Sequence, residues 1–475
     1  MTDETDAPSR HPLAALWAPQ TIRARCANVL RSVENGASAH FKLDRSRLPA
    51  AAERVAAELL RSYPDLQLPS AGCWPLFDAG GVPRLAELAQ ALAGRSAAQT
   101  VQAQVDLTVV TALMAGHAGE AWCYSEATAV ARQALPAHRQ DRNDLLAQLD
   151  QAAAGRLAAE PAAEPAVSQA VSQATAPPGG ASLQGREGLA VATLRAFMAG
   201  AFSAHPDDPL RADAKALALI DPAAMRAIFQ ARPSNPLLGL EGRAAMLARL
   251  GQTLLALMAH TSASSGLSAR PCLLYERLSA NTNTLTASAL LQDVLRSLGP
   301  VWDGVNRSRV LGLPAGDVGA HLWAGAGTGG NQQDAATGGY VPLHQLAQGL
   351  CLSLVQPLQT AGLAITGLDA LSGLPGPASA GFFIDAGVIV PRQASTCTRT
   401  WKTADEGVVE WRALTVVLLD ELATLVRRLL DKTALQCPLA SLQQWGIDVT
   451  GRALAAELRP GGAAPLKVES DGSVF

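Results

Sequence analysis

The chain has 475 residues, of which 48% are apolar and 17% are charged, and its formal net charge at pH 7 is −3. This composition is typical of a folded, near-neutral globular protein, and the length allows about two to four domains or one large helical domain with an insertion. The lysines are scattered and the arginines are interleaved with acidic residues, so the chain lacks the clustered positive charge that binding to duplex nucleic acids requires.

Three features of the sequence indicate where the protein is located and whether it inserts into a membrane or binds a metal. They are the N-terminus, the longest uncharged stretch and the cysteines. Residues 1–4 are Met, Thr, Asp and Glu, without the positive and apolar pattern of a signal peptide, so we expect a cytoplasmic protein. Residues 335–368 carry no charge, but they include His344 and Pro357 and are interpreted as a buried helix rather than a membrane span. The seven cysteines form no CxxC pair, so we predict neither a zinc site nor a disulfide framework, and we expect no metal and no cofactor.

Apolar residues recur at helical spacing along most of the chain, while β-branched alternation is rare. We therefore predict a mainly α fold, one large helical globular domain with a few short β segments. The predicted helices are Thr21–Val33, Leu48–Tyr63, Val82–Leu92, Val101–Met114, Glu187–Ser203, Leu240–His260, Ala287–Leu298, Pro342–Gly362 and Val408–Leu430. Two segments are candidates for strands: Phe382–Val390, and the tail Leu466–Phe475 with a hairpin turn at Asp471-Gly472.

The composition changes between residues 134 and 184, where the sequence AAEPAAEPAVSQAVSQATAPPGG repeats AAEP and VSQA. Such a segment buries too little apolar surface to offset the entropy that ordering costs, so it is interpreted as a mobile insertion. Residues 1–133 and 185–475 are then two parts of one helical domain.

Two carboxylates, Asp106 and Asp385, stand in apolar local sequence. Asp106 shares a face of its predicted helix with Val109, Val110 and Leu113, which allows either a buried ion pair or a functional role. Asp385, within FFIDAGVIV, has the least polar local sequence of all the carboxylates, and desolvation there would raise its pKa.

Glu410 and Arg412 fall on opposite edges of the apolar stripe of their predicted helix. At this spacing they cannot pair well with each other, so each needs another partner. The sequence allows two interpretations: each residue forms a salt bridge with a distant residue, or both face a shared cleft.

Each of the remaining candidate residues has both a structural and a functional interpretation. Trp122 and Tyr124 belong either to the core or to a stacking surface, and His344 is either a hydrogen-bonded core residue or a catalytic one. Glu241 and Arg243 stand at a predicted helix start, where the glutamate is expected to cap the helix and the arginine is a candidate contact for an anion.

Several segments together resemble the family of the fourth component of the Urc/Urg route of uracil catabolism. They occur in order from about residue 20 to the C-terminus and are HFKLD, SYPDL, VDLTVVTALMAGHAGEAW, REGLAVATLRAFMAGAFS, DPLRAD, NPLLGLEGRAAML, VPLHQLAQGLCLSLVQPL, FIDAGVIV, VEWRALTVVLLDELA and SDGSVF. In two places the chain departs from the family pattern: the 134–184 insertion lies where the family usually has a short connection, and GLPGPASAGFF, residues 373–383, replaces a segment that usually carries more polar and charged residues.

The resemblance implies a reaction. In this route uracil is attached to ribose phosphate and its ring is opened, which leaves a urea joined to the sugar, and its release requires cleavage of a C–N glycosidic bond. More distantly, the order of motifs is similar to that of the queuosine-salvage N-glycosylases, helical proteins related in shape to DNA glycosylases. We therefore expect an N-glycoside hydrolase that acts on a small nucleoside or nucleotide-derived substrate, in which Asp385 stabilises the sugar cation and Asp106 protonates the leaving urea.

Other residues complete the predicted site. Glu410 is the reserve for either catalytic role. The predicted substrate contacts are Trp122, Tyr124, Glu241, Arg243, His344 and Arg412, with the two arginines as the candidate 5′-phosphate ligands.

Two rival functions remain open. The first is a nucleic-acid glycosylase or binding module, because LDALSGLPGPASAG, residues 368–381, reads superficially like a helix-hairpin-helix turn, although the net charge opposes nucleic-acid binding. The second is a non-enzymatic scaffold of the pathway. We expect no nucleic-acid and no membrane partner, and the oligomeric state is left open.

Overall fold

The structure is a computed structural model that describes residues 11–126, 182–259, 269–280, 282–304, 309–325 and 336–474. It is mainly helical, as the sequence predicts. The helices of eight or more residues are α1 (Pro19–Glu34), α2 (Leu48–Ser62), α3 (Arg84–Ala91), α4 (Ala97–Leu113), α5 (Gly185–Met198), α6 (Leu240–Ala259), α7 (Ala287–Ser297), α8 (Gln345–Thr360), α9 (Pro377–Asp385), α10 (Glu406–Leu429) and α11 (Asp448–Leu458). The shorter α-helices are Ala14–Trp17, Trp74–Phe77, Ala214–Ala218, Pro222–Ile228, Leu273–Ser279, Ser395–Thr398 and Leu439–Leu442.

Each helix predicted from periodicity is present, with ends that differ by a few residues. Local signals explain several starts. At α4, the Ser96 hydroxyl accepts from the N–H of Gln99 while the Gln99 side chain accepts from the N–H of Ser96, which is a capping box. Proline stands at the first turn of α1, α2 and α9, where its missing N–H costs no helical hydrogen bond.

The described strands are two or three residues long and form two-stranded ladders. The antiparallel ladders are β1 (Phe41–Leu43) with β10 (Ile389–Pro391), β2 (Cys123–Ser125) with β3 (Ser182–Gln184), β5 (Arg309–Val310) with β6 (Leu313–Pro314), and β7 (Val318–Ala320) with β8 (Tyr340–Pro342). The parallel ladders are β4 (Thr284–Thr286) with β9 (Ala364–Thr366), and β11 (Thr400–Lys402) with β12 (Lys467–Glu469). The predicted insertion 134–184 lies outside the described residues except for β3.

Both strand predictions are wrong in detail. The apolar run from Phe382 is the end of α9, and only β10 is a strand, because Gly387 at φ +75° separates the two elements. The tail does not fold into a hairpin, since β12 pairs with the distant β11. A turn does occur at Asp471, whose carboxylate accepts from the N–H of Ser473.

The helix-hairpin-helix interpretation of residues 368–381 is also wrong. The segment begins with a 3-10 turn, Leu368–Ala370, which follows strand β9, and only its end belongs to a helix, α9. In the described part of the chain, no helix combines the length and the apolarity needed to span a bilayer.

The buried side chains form two apolar clusters, and α10 lies between them. Val409 and Ala413 belong to the larger cluster, whereas Trp411 and Leu414 belong to the smaller one. Helices α1 and α2 pack against α10, α9 packs against α11, and the short helix Trp74–Phe77 packs against α5. The helices that pack around α10 therefore come from segments that are far apart in the sequence.

Candidate functional site

Asp106 lies on α4 and is completely buried in an ion pair. Its carboxylate accepts from Arg270 Nε at 2.8 Å and from the backbone N–H groups of Ala212 and Cys272 at 2.9 and 2.8 Å. Burial raises the pKa of Asp106 to about 6, against the opposing effect of the Arg270 charge. This geometry matches the structural alternative, a buried aspartate held by an arginine.

Asp385 is the last residue of α9 and makes a two-pronged ion pair with Arg459, at 2.7 and 2.6 Å. Its side chain is only 3% exposed. Asp106 and Asp385 share no hydrogen-bonding partner, so the structure holds the two predicted catalytic carboxylates in separate ion pairs.

Glu410 is buried on α10 beside a histidine. The Ser38 hydroxyl donates to its carboxylate, and His321 Nε2 lies 3.5 Å from Glu410 Oε2. His321 Nδ1 accepts from the N–H of Trp323, which places the proton of a neutral imidazole on Nε2, facing Glu410. The Glu410 and His321 residues are 1% and 3% exposed, so this pair is sealed from solvent.

Arg412 pairs with Asp317 through two hydrogen bonds of 2.8 and 2.6 Å. The backbone carbonyl of Asp317 accepts from the N–H of His344, and its carboxylate accepts from the N–H of Gln345 at the start of α8. The chain then runs through β7 to His321. Glu410, Arg412 and His344 thus belong to one buried polar group, and, as their spacing predicts, the first two have separate partners.

The remaining predicted contacts lie elsewhere. Trp122 is fully buried and its indole N–H donates to the Phe229 carbonyl, while Tyr124 is buried in β2. These positions match the core alternative that the sequence left open.

Arg243 and Glu241 belong to the first turns of α6. Arg243 is completely buried and donates to the carbonyls of Met114 and His117, which follow α4, and of Leu238, which precedes α6. Burial lowers its pKa to about 10. The Glu241 side chain is 74% exposed, at the helix start where the sequence places it.

A different group of polar side chains is reached by solvent. Arg186, in the first turn of α5, has its Nη1 atom 3.9 Å from Asp448 Oδ2, and their side chains are 32% and 12% exposed. Arg452 lies one turn after Asp448 on α11, and Cys73 lies near Arg186. We call the space between Cys73, Arg186, Asp448 and Arg452 the Arg186 recess.

Burial shifts the pKa values of both charged groups at the centre of the Arg186 recess. The pKa of Arg186 is lowered chiefly by burial, although about a third of its side chain is exposed, so protein surrounds a guanidinium that water still reaches. Burial also raises the pKa of Asp448, against the opposing charges of Arg186 and Arg452. A partly exposed carboxyl group of raised pKa is a candidate general acid.

Side-chain amides fix the walls of the recess. Gln443 and Gln444 belong to a π-helical turn just before α11, a feature that is frequent at functional sites. Gln444 bonds both the N–H and the carbonyl of Gly72, at 2.9 and 3.0 Å, and Gln443 Oε1 accepts from the N–H of Leu374 at 2.9 Å.

Aromatic residues stand beside these walls. Trp445 and Tyr63 meet edge to face with ring centroids 6.4 Å apart, and both are half-buried. The Trp74 indole N–H is buried, and no described residue accepts its hydrogen bond. The recess therefore joins charged groups with aromatic faces.

Sequence reasoning missed Ser38, Asp317, His321, Arg186 and Asp448. Ser38, Asp317 and His321 stand in short connections without a motif, and their partners are remote in the sequence. Arg186 and Asp448 occur in helices whose charged residues read as a solvated face.

The fold and these sites define a mainly helical protein with several buried ion pairs and one more exposed pair, Arg186 with Asp448. Among the described residues, no group of His, Cys, Asp or Glu side chains is arranged to hold a metal ion. The chain belongs to the family described as protein of unknown function DUF1688, which matches residues 15–174 and 172–475.

Two relatives are similar along their whole length. Protein urg3 of Schizosaccharomyces pombe is 29% identical over 480 residues, which cover 98% of this chain and 100% of that protein. Uracil catabolism protein 4 of Lachancea kluyveri is 27% identical over 497 residues, covering 98% of this chain and 99% of that protein.

Proposed function

We propose that this protein acts in uracil catabolism as an N-glycoside hydrolase, which releases urea from a ribosylurea-type intermediate. The pathway follows from the relative named uracil catabolism protein 4, which aligns with 98% of this chain. The reaction follows from the chemistry of a ring-opened uracil riboside, in which a urea nitrogen is still bonded to the anomeric carbon.

The hydrolysis consumes one water molecule. The C–N glycosidic bond breaks, the water oxygen bonds to the anomeric carbon, and the leaving urea nitrogen gains a proton. Positive charge develops on the sugar in the transition state, so a carboxylate that stabilises it and a proton donor to the urea both accelerate the reaction.

The observation that carries the proposal is the placement of Asp448. Its carboxyl group has a raised pKa, its side chain is 12% exposed, and it faces Arg186 at 3.9 Å rather than in a close two-pronged pair. In the proposed mechanism the protonated Asp448 donates to the leaving urea nitrogen. Its carboxylate then faces the sugar cation and takes up the proton that the attacking water loses, which restores the acid.

The sequence-based assignment remains a competing hypothesis within the same function. It gives the reaction to Asp385 and Asp106, with Glu410 in reserve, and predicts that Asp385→Asn abolishes cleavage. Access opposes it, because the side chains of these three residues are 3%, 0% and 1% exposed, whereas substrate and water must both reach a catalytic carboxylate.

The test is urea release from ribosylurea and from its 5′-phosphate by the purified protein. We expect Asp448→Asn to lower kcat by about 10²–10⁴-fold, the usual contribution of a general acid, with unchanged circular dichroism. The matched control is Asp369→Asn at an exposed position. Wild-type turnover that persists in Asp448→Asn but disappears in Asp385→Asn would assign the reaction to the sequence-based site, and no urea release by the wild type would refute the hydrolase.

A further inference from the structure

The C-terminal end of α10 borders an open cavity of about 330 Å³ that shares no residue with the Arg186 recess. We call it the Arg428 cavity, and its lining residues are Thr424, Arg427, Arg428, Asp431 and Lys432. The volume lies at the lower end of the range of small-molecule sites, about 300–1,000 Å³. Such sites are usually lined by apolar side chains, whereas this lining is polar and charged, so it suits a hydrophilic ligand.

The charges that line the Arg428 cavity favour an anion. Arg427, Arg428 and Lys432 are cations, and they face the single carboxylate of Asp431. The end of the helix adds about half a negative charge, which leaves the cavity positive. Within the described ranges, none of the three cations belongs to an ion pair.

The carboxylates that precede the cavity in α10 are engaged with other residues. Asp420 pairs with Arg23 at 2.9 Å, and Glu421 pairs with Arg45 at 2.7 Å. Arg45 also pairs with Glu34, at 2.7 Å. None of these carboxylates lines the Arg428 cavity, so its positive charge is not neutralised from within its lining.

The cations of the cavity are not needed to cap α10. Asp431 lies at φ +51° and its N–H donates to the carbonyl of Arg428, while the N–H of Lys432 donates to the carbonyl of Arg427 at 2.9 Å. The backbone itself thus satisfies carbonyl groups of the last turn, as in a Schellman motif. The charged ends of Arg428 and Lys432 remain available to a ligand.

Arg427 is held in place beside them. It is half-buried, and its Nε atom donates to the carbonyl of Cys437 at 2.9 Å. This hydrogen bond fixes the guanidinium and leaves its terminal nitrogens to donate as a pair to phosphate oxygens. A donor group that is already fixed loses less conformational entropy when a ligand binds.

The directions of the two arginines set the length of the ligand. Consecutive residues of an α-helix point about 100° apart, so Arg427 and Arg428 reach the cavity from different sides. A single phosphate bound to one guanidinium leaves the other without an anion. Two linked phosphates can contact both.

We propose that the Arg428 cavity binds a diphosphate group, which belongs either to inorganic pyrophosphate or to a nucleoside diphosphate. Arg427 and Arg428 each bind one phosphate, and Lys432 adds a third positive charge. Asp431 opposes the ligand and limits its affinity. The proposal is independent of the hydrolysis of ribosylurea, because the two sites have no residue in common.

The experiment measures the binding of inorganic phosphate, pyrophosphate and ADP to the full chain by isothermal titration calorimetry, at one ionic strength set with sodium chloride. We expect pyrophosphate to bind the wild type about tenfold more tightly than phosphate, because it gains a second set of charge-assisted hydrogen bonds. Tighter binding of ADP than of pyrophosphate identifies a nucleotide site, and equal or weaker binding identifies a site for inorganic pyrophosphate.

Three variants test the cavity itself. Arg428→Met and Lys432→Met should each lower the affinity for pyrophosphate about tenfold. Asp431→Asn should raise it about twofold, because it removes the opposing charge and asparagine tolerates a positive φ. The matched control is Lys467→Met, at an exposed position of β12, which keeps the wild-type affinity.

Circular dichroism checks that each variant is folded. Failure of pyrophosphate to bind the wild type at millimolar concentration would overturn the proposal, as would equal affinities of the wild type, Arg428→Met and Lys432→Met. A loss of affinity in Lys467→Met as large as that in Lys432→Met would also overturn it, since net charge rather than the cavity would then attract the anion.

Discussion

The buried ion pair between Asp106 and Arg270 gives a stability prediction that also decides between a structural and a catalytic aspartate. The two side chains are 0% and 8% exposed and approach to 2.6 Å. Asp106→Asn leaves the guanidinium without its counter-ion, and removing one partner of a buried pair costs about 3–5 kcal/mol. Arg270→Met leaves the carboxylate uncompensated, with a cost of the same order.

The double variant Asp106→Asn with Arg270→Met removes both charges together. We expect it to cost less than the sum of the single changes, with a coupling free energy of about 1–3 kcal/mol. The assay is urea denaturation at pH 7 of the wild type and the three variants. Coupling near zero would refute the ion pair as the role of Asp106, and a stable double variant that fails to release urea would restore its catalytic role.

Two further predictions concern the contacts of Asp385 and Gly239. Asp385→Asn breaks the ion pair with Arg459, whose side chain is 26% exposed, and should lower the free energy of unfolding by about 1–2 kcal/mol, measured by thermal unfolding, while urea release continues. Loss of turnover at full stability would contradict this prediction. Gly239→Ala should lower the free energy of unfolding by at least ~2 kcal/mol, because the φ of Gly239 is +67° and an added Cβ would lie 2.2 Å from the carbonyl carbon of Asp471 in the tail. Unchanged stability and unchanged protease resistance of the tail would show that this contact is not formed.

The helices could be read from the sequence because their apolar residues repeat at 3.6-residue spacing over ten or more positions. The segment that starts at Phe382 could not, since a short continuous apolar run fits a strand and a buried helix equally well. The pairing of β12 with β11 joins residues that are more than sixty positions apart, and nothing in the tail itself identifies its partner.

The sequence predicted contacts of the candidate site residues only where one helix determines the direction of the side chains. The positions of Glu410 and Arg412 on opposite edges of α10 correctly predict that they have different partners. Their partners Ser38, His321 and Asp317 lie on other segments, without a spacing that relates them to α10. Recognition of the Arg186 recess needs the tertiary structure, because its walls come from α5, α11 and the segment before Trp74.

The most direct test of the account is the rate of urea release from ribosylurea 5-phosphate by the wild type and by Asp448→Asn at neutral pH, each confirmed as folded by circular dichroism. The account predicts turnover by the wild type and a rate lower by about 10²–10⁴-fold in the variant. Equal rates for the two proteins would contradict it.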